Sequence, residues 1–324
     1  MTTGGFYEGK KVLVTGGSGF VGTHFVRQLL GRGADVRVPL HIRPMLEKDP
    51  RVEIVACDLA NLNDCLKAFS GVDYVFHAAG VVFGAGVGGA GQMSGISTNL
   101  ILTARTLEAA WMSDVKRVLI FSSGATVYPA ANHPVKEEEM WDGPPTDAYF
   151  GYGWMRRYME LLGQFVEKKS EVGVAICRPT AIYGRHDNFD PKTSHVLPAL
   201  IRKAVEKENP FIAWGTGDEE RDFLHVDDLV RGCLLLLEKH ATGDPVNLGY
   251  GATVSIKEAL MIILKAAGHE NAKVVFDSAK PSTISIRSVD ISKARRLLGF
   301  EPLISLEEGL RDAVEWYSGA HGCG

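Results

Sequence analysis

The sequence predicts an α/β fold: a parallel, doubly wound sheet with a smaller α/β lobe toward the C-terminus. Three observations predict it. Short β-branched runs alternate with helical patterns through the first half of the chain. The first of these runs leads straight into a glycine-rich turn and then an amphipathic helix. From about Gly184 to Glu220 the alternation breaks, as though an insertion leaves the sheet.

The strands can be taken in order. Val12–Val14, Val36–Val38, Val52–Val55, Asp73–Phe76, Arg117–Phe121 and Gly173–Cys177 read as six strands. Their apolar residues are continuous rather than alternating, as expected when both faces are covered by helices. Pro-containing stretches such as Gly143-Pro144-Pro145 and Asp190-Pro191 read as loops. Val246–Leu248 is expected to return to the sheet as its last strand. The tail from Ser255 onward reads as mainly helical, with Leu297, Leu298 and Phe300 as core. The division expected is a dinucleotide-binding domain of residues 1-180 plus about 225-250, and a second lobe of residues 181-224 and 251-324.

The chain has 324 residues, of which 45% are hydrophobic and 23% charged, with a net charge of -4. That balance argues against a bulk nucleic-acid binder, which needs a basic face. The five cysteines are Cys57, Cys65, Cys177, Cys233 and Cys323, an odd count without a C-x-x-C pair. A disulfide framework and a zinc site are therefore not expected. No apolar run is long enough to span a bilayer, and Met1–Lys11 lacks the apolar core of a signal peptide. The expectation is a cytoplasmic protein with no membrane, nucleic-acid or metal partner.

The glycine-rich turn reads Thr15-Gly16-Gly17-Ser18-Gly19-Phe20-Val21-Gly22, with Phe25, Val26, Leu29 and Leu30 on the apolar face of the helix that follows. Glycines there permit a tight turn, and the helix N-terminus offers N–H groups to a pyrophosphate. Gly16, Gly19, Phe20, Val21 and Gly22 are therefore candidate dinucleotide contacts of a Rossmann domain. Asp58 and Leu59 follow the third strand, where a carboxylate can meet an adenine amino group. Ala78, Ala79 and Gly80 follow the fourth, where small residues admit the cofactor. NAD enzymes usually carry an acid at the end of the second strand. Here Val38-Pro39-Leu40-His41-Ile42-Arg43 has none, with Arg37 nearby, so His41 and Arg43 favour the 2′-phosphate of NADP(H). NAD(H) is the alternative.

Thr15–Gly22, Asp58, His77–Gly80, Ser122–Tyr128 and Tyr152 together resemble the extended short-chain dehydrogenase/reductases, the NAD-dependent epimerase/dehydratase family. The resemblance implies NAD(P)-dependent chemistry on a nucleotide sugar. In that family a Tyr and a Lys at i, i+4 share a helix face, and a cation beside a phenol favours its ionised form. Here the pair is Tyr152 and Arg156; Arg keeps the charge but cannot relay a proton. Tyr149 competes, yet its i+4 neighbour is Gly153. The family's catalytic hydroxyl aligns with Gly124, which leaves Thr126 or Ser123 to take its place. Ala125-Thr126 stands where a 4,6-dehydratase has an Asp-Glu pair, so dehydration is not expected.

Tyr183 to Arg202, and Trp214-Gly215-Thr216-Gly217 through Arg221 to Asp228, resemble the GDP-L-fucose synthases, a branch that epimerises and reduces GDP-4-keto-6-deoxyhexoses. The match extends weakly to Lys280-Pro281 and Arg287. It implies His195 as the epimerisation acid and Arg221 as a substrate-phosphate arginine. The cysteine base of that branch aligns with Thr126, a far weaker acid than a thiol, which counts against epimerisation at C3 and C5. Lys203 and Arg287 are further phosphate candidates, Trp214 a wall for the base, and Asn188 a substrate contact.

Three readings follow. The first is a reductase of a GDP-linked 4-ketohexose using NADP(H). The second is an epimerase holding NAD(H) and working through a 4-keto intermediate. The third is a non-catalytic dinucleotide-binding protein, motivated by Gly124 and Arg156. The family habit implies a homodimer built from two helices of each subunit. The run Glu137-Glu138-Glu139 reads as a solvated loop.

Overall fold

The computed structural model describes residues 5–82, 90–279 and 284–321. The first part of the chain forms β1 (Lys11–Thr15), α1 (Phe20–Leu30), β2 (Asp35–Leu40), β3 (Glu53–Ala56), α2 (Leu62–Phe69), β4 (Tyr74–His77), α3 (Ala90–Met112), β5 (Arg117–Phe121), α4 (Phe150–Lys169) and β6 (Gly173–Pro179). Then come β7 (Ala181–Tyr183), α5 (Val196–Val205), β8 (Phe211–Trp214), β9 (Glu220–Arg221), β10 (Phe223–His225), α6 (Val226–Lys239) and β11 (Val246–Leu248). The chain continues through β12 (Val254–Ser255), α7 (Ile256–Ala266), β13 (Val274–Asp277), β14 (Ile286–Arg287), α8 (Ser292–Leu298) and α9 (Leu306–Ala320).

Seven strands form one sheet in the order β11-β6-β5-β4-β1-β2-β3, and every pairing in it is parallel. The order reverses between β1 and β4, the switch point at which an open α/β sheet receives its ligand. Successive residues of β1 feed opposite layers. Val12 and Val14 pack with α1, α6 and α8, whereas Leu13 packs with α2, α3 and α4. Both faces are thus covered over the inner strands, which is why those read as continuous apolar runs. The edge strand β3, expected to be covered as well, leaves Ile54 56% exposed, because no strand among the described residues pairs beyond it. The expected last strand, β11, pairs with β6.

A second core gathers around β8 and β13, enclosed by α5, α7 and α9. Its strands are short and lie in three small sheets, β10-β7, β12-β9-β14 and β13-β8. The tail divides between the two cores. Helices α7 and α9 join the second, but Ala294, Leu298 and Phe300 pack in the first. Residues 294–300 therefore depart from the division expected from sequence, because α8 docks on α6. Leu297, expected in the core, is 36% exposed.

Glu137-Glu138-Glu139, expected as a solvated loop, instead opens a short 3-10 helix, Glu137–Trp141. Glu137 is buried, and its carboxylate accepts from the Asn247 amide at 2.9 Å. Burial raises its pKa above the usual carboxylate value. Beside it Arg178 and Glu160, each with 1% side-chain exposure, form a bidentate pair at 2.8 and 2.7 Å. Arg178 also donates to the Tyr128 hydroxyl and the Glu137 carbonyl. Breaking one half of such a buried pair typically costs about 3–5 kcal/mol. The pair fastens α4 to β6, and so sets where the first turn of α4 lies.

Candidate active site

The turn between β1 and α1 fits a dinucleotide. Gly16 has φ 68°, and a Cβ there would lie 2.6 Å from the Ala79 amide nitrogen. The backbone after β4 thus passes directly against the turn, with no room for a side chain. A Cβ on Gly22 would lie 2.0 Å from the Gly16 carbonyl oxygen, so helix and turn are in contact too. Gly19 caps α1 without a side-chain hydrogen bond, and the first helical turn holds no acid. Its N–H groups and positive dipole end therefore face the switch point without a competing carboxylate. Phe20 and Val21 stand in that first turn.

Beneath the turn lies His77, 3% exposed. Its Nδ1 meets the hydroxyls of Thr15 at 2.8 Å and Thr106 at 3.1 Å, and Nε2 meets Thr103 at 3.2 Å. Burial, assisted by the charge of Arg156, pushes its pKa down to about 3, so the ring is neutral. Thr15 Oγ1 also accepts from the Ala79 amide at 3.2 Å. The cofactor edge is braced by side chains that sequence spacing does not reveal.

The other expected cofactor residues take these places. Asp58 accepts from the Ala60 amide at 2.9 Å beside partly buried Leu59, and Ala78 and Ala79, followed by exposed Gly80, abut Gly16 of the turn. His41 and Arg43 are exposed beyond β2. Arg37 points away: its guanidinium donates to the Ala68 and Ser70 carbonyls and pairs with Glu53 at 2.8 Å. It is a structural arginine.

Tyr152 and Arg156 stand on the first turns of α4. The Tyr152 hydroxyl donates to the Val81 carbonyl at 2.7 Å, accepts from Asn99 Nδ2 at 3.0 Å and lies 3.5 Å from Arg156 Nη2. Arg156 also donates to the Phe121 carbonyl at 2.8 Å, with its guanidinium 5.3 Å from the Tyr152 ring centroid. Asn99, buried in α3, grips Val81 through both N–H and C=O. Sequence reasoning missed it. It lies 53 residues from Tyr152, and no local pattern announces that meeting.

Gly124 has no room for the hydroxyl it displaces. Its amide donates to the Pro179 carbonyl, and a Cβ would lie 2.9 Å from that oxygen and 3.1 Å from Val289 Cγ1. Between the two substitutes the geometry differs. Ser123 Oγ accepts from the amides of Ala125 and Thr126, capping the turn. Thr126 Oγ1 is buried without a partner.

In the second lobe, Arg221 of β9 and Arg287 of β14 are paired residues of adjacent parallel strands. Arg287 is 6% exposed; one nitrogen donates to the Pro129 carbonyl at 3.3 Å, while Nε and Nη2 are buried without partners. Arg221 donates to the carbonyls of Glu220, Ser285 and Ile284. Burial pulls both guanidinium pKa values down, and the charge of Arg221 lowers that of Arg287 further. Such a pair calls for an anion. His195 caps the start of α5. It keeps over a third of its surface open, yet crowding in its recess lowers its pKa below the usual imidazole value. Trp214 is half exposed on β8. Lys203 instead donates to the Ile212 carbonyl at 2.7 Å, and Asn188 is engaged in the turn before α5, bonding Thr193 at 2.9 Å. Lys280-Pro281 and Cys323 lie outside the described residues.

A braced glycine turn at the switch point, with a tyrosine and a guanidinium beside it, defines a dinucleotide-dependent enzyme of the Rossmann class. Residues 12–249 match the model of the NAD dependent epimerase/dehydratase family, and the chain belongs to that family. It is 30% identical to GDP-L-fucose synthase of Escherichia coli (strain K12), across 95% of this chain and 96% of that one. It is 29% identical to a dTDP-4-dehydro-6-deoxy-D-allose reductase of a Streptomyces species, across 96% and 97%. The fold matches the crystal structure of a UDP-glucose 4-epimerase with UDP-glucose from Thermotoga maritima, with TM-score 0.86, 24% identity and coverage of 96% and 99%. No helix among the described residues is long and apolar enough to cross a membrane.

Proposed function

We propose that this enzyme reduces the keto group of a nucleotide-linked 4-ketohexose, with NADP(H) as cofactor and a GDP-sugar as the favoured substrate. The Tyr152 hydroxyl, held between Asn99 and Arg156 beside the glycine turn, carries the reading. Bound NADPH supplies hydride at C4. Tyr152 gives its proton to the keto oxygen, which takes the place of the Val81 carbonyl as acceptor, and is reprotonated from solvent. Arg156 holds ribose hydroxyls and keeps a positive field at the phenol, without relaying protons. Thr126 donates to the keto oxygen, because its hydroxyl is unengaged and that of Ser123 caps a turn. Arg221 and Arg287 grip the diphosphate, His195 lies by the sugar, and Trp214 walls the base. An alcohol at Thr126 is a poor base toward carbon, so the reading omits epimerisation at C3 and C5. The names of two relatives, a GDP-L-fucose synthase and a dTDP-4-dehydro sugar reductase, support this substrate class.

The enzyme works as a homodimer in the cytoplasm. Trp154, Tyr158, Leu161 and Phe165 make an exposed apolar stripe on α4, with Ile101 on the neighbouring α3. A second copy would bury it.

One observation favours a second reading. With Arg37 committed to the fold, only His41 and Arg43 of the three basic candidates are left for a 2′-phosphate. A retained NAD and an epimerisation through a 4-keto intermediate would follow. Mass spectrometry of dinucleotide carried through purification separates the two: near-stoichiometric NAD favours the epimerase, an empty site that takes up NADPH the reductase. Tyr152→Phe is expected to lower turnover of a 4-keto nucleotide sugar by about 10²–10⁴-fold while the dinucleotide still binds. Unchanged turnover, or none by the wild type with GDP-, dTDP- or UDP-linked 4-keto sugars, refutes the reductase.

A further inference from the structure

We propose that Asp222 is a positioning residue for the paired arginines of the second lobe. The inference rests on the proposed reading of Arg221 and Arg287 as the diphosphate grip.

Asp222 is the single residue between β9 and β10, and it is 1% exposed. Its carboxylate accepts three hydrogen bonds: from Thr180 Oγ1 at 3.0 Å, from the Tyr250 amide at 2.7 Å and from the Gly251 amide at 3.0 Å. Its backbone amide donates to the Arg287 carbonyl at 3.2 Å, and its carbonyl accepts from the Ala181 amide at 3.2 Å. One residue thus joins both arginine-bearing strands to the ends of β6 and β11. Thr180 belongs to the same junction, since its amide donates to the Leu248 carbonyl.

The junction is closely packed. A Cβ on Gly249 would lie 2.8 Å from Asp222 Oδ2, 2.8 Å from Thr180 Cγ2 and 2.9 Å from Val289 Cγ2. Desolvation raises the Asp222 pKa to about 6 in spite of its three donors. Burying a carboxylate only to hold a loop is costly, and two adjacent cations drive their strands apart. A carboxylate anchored at the next residue fixes the arginine-bearing strand against that repulsion. Asp222 adjoins Arg221 in sequence and meets Arg287 only through the backbone, so its carboxylate acts through the strands that carry the two arginines.

The test is calorimetric titration of GDP and of UDP into NADPH-loaded enzyme. Asp222→Asn keeps the shape but sets an amide N–H against the Gly251 N–H. It is expected to weaken diphosphate binding about tenfold, or about 1.4 kcal/mol. NADPH affinity is expected to stay within about twofold. Thr180→Val removes one of the three donors and is expected to weaken binding about threefold. Thr180→Ser keeps the hydroxyl and should bind as the wild type does. This pair decides the matter if Asp222→Asn does not fold. Unchanged GDP and UDP affinity in Asp222→Asn, equal losses for diphosphate and NADPH, or equal behaviour of Thr180→Val and Thr180→Ser overturns the proposal. Arg221→Ala and Arg287→Ala separate the two levels. If neither weakens GDP or UDP, the diphosphate reading itself fails. If they do and Asp222→Asn does not, only the positioning role fails.

Discussion

The crevice between β1 and β4 and the strand pair β9–β14, the proposed cofactor and diphosphate sites, are built in opposite ways. The first presents backbone. Glycines bring the main chain close, and the polar side chains beneath, His77 and the hydroxyls of Thr15, Thr103 and Thr106, are bonded to one another. The second presents side chains that are not fully satisfied: Arg287 buries two nitrogens without partners beside another cation. A site made of backbone can be finished by folding. A site made of buried charge is finished only by its anion. Damage to the first should therefore reduce stability and binding together, while damage to the second should reduce binding alone.

Gly16→Val gives the largest effect. A β-branched side chain at φ 68°, driven into Ala79, is expected to abolish dinucleotide binding and to destabilise the fold by about 3 kcal/mol. Fluorescence titration with NADPH and urea unfolding measure the two, and a loss in only one would break the contrast. Arg287→Met comes next. GDP and UDP affinity should fall about 30-fold, or about 2 kcal/mol. The thermal midpoint should hold or rise, because methionine leaves no buried donor unpaired. A clear fall in midpoint would show that the second site, too, is finished by folding.

Gly124→Ser sharpens the comparison where the two regions meet. Restoring the family's hydroxyl there is expected to cost about 1–3 kcal/mol and to leave turnover no higher, since Pro179 and Val289 occupy the space. A gain in turnover would return the catalytic hydroxyl to that position. His77→Gln alters no group proposed to touch ligand, and its effect is read in pH dependence. The folded ring stays neutral down to about pH 3, against 6.5 for a free histidine. Between those values the unfolded chain binds one more proton, so stability is present above pH 6.5 and falls with pH, by up to about 1.4 kcal/mol per unit. The variant should show a shallower loss between pH 7 and pH 5 in urea unfolding; an identical slope would mean that the ring titrates in the fold.

What could be read from sequence was whatever is local. Strand periodicity, the run from strand to glycine turn to helix, and the i, i+4 spacing of Tyr152 and Arg156 depend on neighbours along one element, and the parallel sheet followed from them. The second lobe resisted because its strands are two to four residues long, too short to carry a period. The burial of Glu137, the docking of α8 and Phe300 in the first core, and the commitment of Arg37 to the fold were decided by packing.

By itself, then, the sequence determined the doubly wound sheet, the dinucleotide turn and the tyrosine with its cation. Only the tertiary structure decided what surrounds them. Asn99 reaches Tyr152, three threonines satisfy His77, and Asp222 ties the arginine strands to the sheet, each across a long stretch of chain. Hydrogen-bond partners at that separation are set by strand register and helix docking, which no short window of residues encodes.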